Sequence, residues 1–203
     1  MKLYDGGKAP NPRRVRIYLA EKGLSVPLEP VDMGAMGHRS ETIAARNPLM
    51  RLPVLELDDG KVITESIAIC RYFEELHPEP PLFGTGAVGR AMVEMWQRRM
   101  ELNLLAVVAN AFRHTHPAMK EWEVPQVAEW GEANRPKALD FMALLDRELA
   151  SRPFVAGDAY SVADITGLVA MDFCKPARIA VPEDLLHLRR WHAEVSARPS
   201  AQA

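Results

Sequence analysis

Apolar and polar positions follow two regimes along the chain, with a change near residue 77. Before it, short extended runs alternate with helical ones. Lys2-Leu3-Tyr4-Asp5 reads as a strand ended by Gly6-Gly7. From Arg13 to Lys22, Val15, Ile17, Tyr18 and Leu19 sit between basic residues. This spacing predicts an amphipathic helix with Asn11 as its cap, Pro12 at its first position and Gly23 beyond its end. Residues 26–32 are extended and carry two prolines, which confines them to a sheet edge. Ser40 to Arg46 reads as a short helix. Val54 to Leu57 and Lys61 to Thr64 flank Asp58-Asp59-Gly60, the signature of a β-hairpin. Ser66 to Leu76 then predicts a helix, giving the order β-α-β-α-β-β-α.

After His77 the run HPEPPLFGTGAVG is rich in Pro and Gly and reads as a linker. No strand pattern follows it. Helices are expected from Arg90 to about Phe112 and over 127–149, where Pro136 must kink the helix or delay its start. A third begins at Ser161-Val-Ala-Asp164, a capping-box arrangement with the shorter acid, and a fourth spans 182–196 with Pro182 and Glu183 in its first turn. The division expected is therefore 1–78 mixed α/β, 79–89 linker and 90–203 all-helical.

Composition narrows the function. The chain has 203 residues, 48% of them hydrophobic, enough for a core without disulfides. The 25 basic against 27 acidic side chains exclude a broadly basic nucleic-acid binder and an acidic disordered chain. Cys70 and Cys174 form no CxxC or zinc pattern and read as reduced, buried thiols. No apolar run is long enough to span a membrane, and the N-terminus lacks the apolar core of a signal peptide, so a cytoplasmic location is expected.

Several local patterns carry candidate chemistry. Gly84-x-Gly86-x-x-Gly89 fits a dinucleotide fingerprint, but prolines rather than a strand precede it, so the linker reading prevails. His114 and His116 flank Thr115; two histidines alone lack a third metal ligand, and a surface or pocket-rim reading is favoured. No nucleophile elbow or His-Glu-x-x-His motif is present. Pro53 opens a strand, so Leu52 falls in a turn whose backbone groups could pair with a peptide ligand. Glu65-Ser66 opens a helix, whose unpaired N–H groups favour a carboxylate. With Glu65 to meet an ammonium, the pair could hold an α-amino acid head group. Taken alone, Ser66 reads more simply as a helix cap.

Together these residues resemble the cytosolic glutathione transferase family. Asn47-Pro48-x-x-Arg51-Leu52-Pro53-Val54-Leu55-Glu56, the Asp59-Gly60 turn and Thr64-Glu65-Ser66-x-Ala68-Ile69 are similar to its glutathione site. Phe154 to Asp158, Ser161 to Ile165, Trp191 and Arg198-Pro199-Ser200 are similar to its helical half. The resemblance implies a thioredoxin-like N-terminal domain with a mixed four-stranded sheet, followed by an all-α C-terminal domain. It implies that Glu65 and Ser66 bind the γ-glutamyl head of glutathione. The backbone of Leu52, before a cis Pro53, would pair with its cysteinyl unit. Lys8, His38, Arg39 or Arg51 would meet its glycyl carboxylate. Asp164 would be a structural cap. Glutathione is then a co-substrate and no metal is required.

The chain departs from the family at the catalytic loop. Where a Tyr, Ser or Cys is usual, Ala9-Pro10-Asn11-Pro12 places Ala9. Thiolate chemistry remains open. Lowering a thiol pKa of about 8.5 by two units takes about 2.7 kcal/mol. A helix N-terminus supplies up to about 2 kcal/mol, and one or two donors can supply the rest. One class of the family lacks the catalytic side chain and holds a water from its long helix. Asn11 is the first candidate donor here, with Asn103 and His114 behind it and Asn110 also on that helix. Phe112, His116 and Met119 are expected at the pocket for a small hydrophobic electrophile. A homodimer is implied by the family, with neither nucleic acid nor membrane as partner. Alternatives within the fold are a glutathione-dependent isomerase or peroxidase, or a non-catalytic interaction protein; disulfide exchange would need a cysteine in the 9–12 loop.

Overall fold

The computed structural model describes all 203 residues, Met1–Ala203. The chain divides into two compact units: Met1–Leu82 together with Pro199–Ala203, and Phe83–Arg198. The C-terminal five residues thus belong with the first unit, where a division at residue 90 leaves them with the second.

The first unit carries β1 (Lys2–Asp5), α1 (Pro10–Glu21), β2 (Leu28–Pro30), α2 (Glu41–Ala44), β3 (Val54–Glu56), β4 (Val62–Thr64) and α3 (Ser66–Leu76). Its sheet has the order β2-β1-β3-β4. β1 runs parallel to β2 and antiparallel to β3, and β3 pairs antiparallel with β4 across the Asp59-Gly60 turn. The proline-bearing β2 lies at the edge, where a missing donor breaks no inner ladder. Alternation along the strands sends Tyr4 and Val54 to one face, where they pack with Ile43 and Leu52. Leu3 and Leu55 point the other way and are fully buried. The helices left to cover that face are α1 and α3, which pack on each other and bury Val15, Tyr18, Ile69 and Phe73. This is the thioredoxin-like, mixed four-stranded architecture that the resemblance implied.

α1 starts earlier than its pattern suggests. Ala9 is the cap, and Pro10, Asn11 and Pro12 all lie in the first turn. Both prolines fit there because first-turn N–H groups have no helical partner to lose. Asn11 is therefore a helix residue and not a cap. The far end of α1 is tied down by Lys22, whose Nζ lies 2.6 Å from Glu74 and donates to the carbonyls of His77 and Pro80. The C-terminal segment packs on the same helix: Arg13 donates to the Ala201 carbonyl at 3.0 Å, and Ser200 bonds Glu21.

The second unit is helical: α4 (Gly86–Met100), α5 (Ala106–Thr115), α6 (Ala128–Leu149), α7 (Val162–Cys174) and α8 (Leu186–Ser196). Three boundaries differ from the sequence expectations. The Gly84–Gly89 run does not stay linker: Gly86 opens α4. Gly84 precedes it at φ 79°, where an added Cβ would lie 2.6 Å from the Gly89 carbonyl oxygen. The segment before it is irregular, as the missing fingerprint strand required. The long helix runs on to Thr115 through a π-turn over Glu101–Leu105, closed by the Ala106 N–H to the Glu101 carbonyl. α8 begins at Leu186, so Pro182 and Glu183 lie in the preceding loop. α6 contains Pro136 within a continuous helix rather than starting after it.

α7 is the centre of this unit. Nearly all its residues are buried, as expected of a helix that is apolar all round. Asp164 is 0% exposed and accepts from four donors: the N–H groups of Val155 (2.8 Å) and Ser161 (2.9 Å), Ser161 Oγ (3.0 Å) and Trp191 Nε1 (2.8 Å). It therefore fixes the 155–161 loop and α8 to the start of α7. Asp164→Ala would leave several buried donors unpaired, at about 1–3 kcal/mol each. We expect urea unfolding to show a loss of about 3 kcal/mol or more; a loss below about 1 kcal/mol would contradict this role.

Candidate active site

In the first unit, three chain segments present unpaired main-chain groups. The first is the start of α3. Ser66 opens this helix, so the N–H groups of its first turn point outward without helical acceptors. Glu65 before it sits at φ 65°, a conformation few non-glycine residues adopt, and its carboxylate is exposed. Such strain persists where surrounding structure enforces it, and it commonly marks a ligand clamp.

The second segment is the turn before β3. The Leu52–Pro53 peptide is cis. The N–H and C=O of Leu52 pair with no other backbone group of the chain. Buried Asn47 shapes this turn: its Nδ2 donates to the Arg51 carbonyl at 2.9 Å, and its Oδ1 accepts from the Leu49 N–H at 3.1 Å. Close by lies a basic group. His38 is 4% exposed, and its imidazole is held below its ordinary pKa first by burial and then by the charges of Arg39 and Arg51. Both arginines are exposed. Lys8, also exposed, lies in the turn after β1, where the Gly7 N–H donates to Asp5 Oδ2 at 2.9 Å.

The third segment is the start of α1. Pro10 and Pro12 have no N–H, and the Arg13 N–H bonds the Ala9 carbonyl at 3.2 Å. The Asn11 N–H is thus the one main-chain donor left over in that turn. Arg14, not among the residues the sequence singles out, joins this turn to α3. It is 3% exposed, and its Nη2 donates to Asn11 Oδ1 at 2.9 Å and to Ser66 Oγ at 2.7 Å. In the run RRVR a basic residue reads as solvated. The available signal was its place four residues before Tyr18, on the buried stripe of the helix.

The remaining candidates lie in the second unit. Asn103 is exposed in the π-turn, with Nδ2 donating to the Arg99 carbonyl at 3.2 Å. His114 Nδ1 accepts the Val127 N–H at 3.1 Å, which holds the start of α6. His116 Nδ1 accepts the Ala118 N–H at 3.2 Å, and its ring stacks on Phe112 at 4.7 Å. Phe112 also meets Phe173 of α7 at 5.1 Å, so the end of α5 carries an aromatic cluster. Met119 is half-buried in the 3₁₀ turn beyond it. Neither cysteine is a thiolate: burial pushes Cys70 and Cys174 up to about 12.

A thioredoxin-like unit with a cis-proline turn and an open helix N-terminus, followed by a helical unit, defines a class of two-domain proteins. Comparison with known proteins narrows it. The N-terminal domain model of glutathione S-transferases matches residues 9–76, and the C-terminal domain model matches 96–199. Glutathione S-transferase 2 of Saccharomyces cerevisiae is 38% identical, the alignment covering 100% of this chain and 88% of that protein. The crystal structure of Gtt2 from the same yeast superposes with a TM-score of 0.94 at 38% identity, covering 100% of this chain and 99% of that one. A glutathione S-transferase domain-containing protein of Marinobacter aquaeolei VT8 gives 0.95 at 40% identity, over 98% and 99% of the two chains. The chain belongs to the glutathione S-transferase family.

The basic group yields a direct test. Because His38 is depressed by burial first and by Arg39 and Arg51 second, its NMR titration should fall below the ordinary 6.5. In Arg39→Gln/Arg51→Gln it should rise but stay below that value. An unchanged midpoint in the double variant would contradict the placement.

Proposed function

We propose that this protein is a glutathione transferase that binds reduced glutathione in its first unit, stabilises the thiolate and conjugates it to hydrophobic electrophiles. The observation that carries the reading is Ser66 Oγ at the N-terminus of α3, accepting from Arg14 at 2.7 Å. A hydroxyl that accepts from a guanidinium keeps its own hydrogen for an anion. Together with the free N–H groups of the same turn, it suits the α-carboxylate of the γ-glutamyl head. Glu65 meets the ammonium, and the unpaired backbone of Leu52 takes the cysteinyl unit. Arg39, Arg51 and Lys8 are the cations proposed to meet the glycyl carboxylate, with the His38 imidazole beside the two arginines.

Thiolate stabilisation here is of the atypical kind, with Ala9 where a hydroxyl or thiol is usual. Asn11 offers two donors at the start of α1, its N–H and its side-chain amide. Asn103 and His114 are further candidates, although His114 already holds the start of α6. The aromatic cluster of Phe112 and His116, with Met119, supplies apolar surface for the electrophile. The protein acts as a cytoplasmic homodimer without metal. No helix is long and apolar enough to cross a membrane.

Conjugation to an aryl halide, followed with the thiolate absorbance of added glutathione, tests this reading. We expect turnover and an absorbance rise on binding. A hydrogen bond to a charged group contributes about 1.5–3 kcal/mol, so Ser66→Ala should raise the KM for glutathione about ten- to a hundredfold. Absence of both turnover and thiolate signal in the unaltered protein would refute the proposal.

A further inference from the structure

We infer that Arg14 is a positioning residue that sets the donor polarity of both ends of the glutathione site, a role that rests on the function proposed above. One buried nitrogen, Nη2, donates to Asn11 Oδ1 at 2.9 Å and to Ser66 Oγ at 2.7 Å. These acceptors sit at the starts of two different helices, α1 and α3.

The chemistry of each acceptor gives the pairing its consequence. A guanidinium only donates, whatever its environment. An amide whose oxygen is held by it must present its NH₂ elsewhere. Asn11 is exposed, so that NH₂ faces solvent beside the leftover N–H of the same residue. Both are donors, as a thiolate requires. Freed from Arg14, the Asn11 amide could turn over and offer its oxygen, which would repel a thiolate. The Ser66 hydroxyl is polarised in the same sense. It accepts from Nη2 and keeps its proton for a carboxylate. By holding Asn11 Oδ1 and Ser66 Oγ, Arg14 decides that both subsites donate.

Burial makes the arrangement rigid. Arg14 is 3% exposed, on the face of α1 that packs against α3, so its guanidinium is enclosed between the two helices. A solvated arginine at the mouth of the site would attract anions without fixing the orientation of either neighbour.

The test uses the full-length protein and Arg14→Lys, which keeps the buried positive charge, with Arg14→Met as a second variant. Circular dichroism and the thermal midpoint establish that each variant is folded. In the protein without ligand, the two side-chain NH₂ proton resonances of Asn11 should move in Arg14→Lys as its fixed orientation is lost. With saturating glutathione, the pKa of the bound thiol should rise by about one unit, a tenfold loss of preference for the thiolate. The KM for glutathione should rise severalfold alongside. In an Asn11→Ala background, Arg14→Lys should still raise KM through Ser66 but add no further pKa shift. A folded Arg14→Lys with unmoved Asn11 resonances overturns the inference. So does a pKa shift that persists in the Asn11→Ala background, because a general loss of packing would act there too. Failure of the unaltered protein to ionise glutathione would instead sink the functional reading, while the ligand-free resonances would still report on the Arg14 contact.

Discussion

The contact on which the site depends is the pair of hydrogen bonds from Arg14 Nη2 to Asn11 and Ser66. A charge buried to this degree is costly to leave without good acceptors. Here two acceptors come from two helix starts: that of α1, where the Asn11 N–H alone is left over, and that of α3, whose first-turn N–H groups are open. The guanidinium therefore does in the interior what neither helix does alone: it fixes which atoms of each turn face outward. The open N–H groups of α3, the leftover N–H of Asn11 and the unpaired backbone of Leu52 are the groups that the proposed binding of a peptide-like anion would use.

The two units meet different demands. The first exposes polar backbone at strand and helix ends, which requires an otherwise well-tied frame. Lys22 and Glu74 close the far end of α1 and α3, and Asn47 holds the turn before the cis proline. The second unit is organised from the inside by Asp164, whose four donors come from a loop, a helix start and an indole. It places the 155–161 loop and Trp191 around α7. Its aromatic end at Phe112, His116 and Phe173 supplies apolar contact surface instead.

Much of this was legible in the residues, and the exceptions have physical reasons. The Asp59-Gly60 hairpin and α3 from Ser66 to Leu76 follow from strong local turn and periodicity signals, and the two prolines rightly put residues 28–30 at a sheet edge. The start of α1 was displaced because Pro10 and Pro12 are equally tolerated in a first turn. The π-turn over Glu101–Leu105 leaves no composition mark, since it arises from packing within the bundle and not from local preference. Ser66 was visible in the sequence, but its hydrogen bond to Arg14 links residues 52 positions apart, and no local pattern contains it. Arg14 itself was hidden by its basic neighbours. Charge suggested solvent, whereas the helical stripe shared with Tyr18 pointed inward.

In the proposed mechanism Asn11, oriented by Arg14, supplies the donor that holds the glutathione sulfur as a thiolate in place of the missing hydroxyl. A crystal structure of the protein with reduced glutathione tests it most directly. The sulfur is expected within about 3.5 Å of the Asn11 amide nitrogen or its N–H, with the Arg14 contacts to Asn11 and Ser66 retained. A sulfur held only by Asn103, His114 or another group, with the Asn11 amide turned away from it, would contradict the claim.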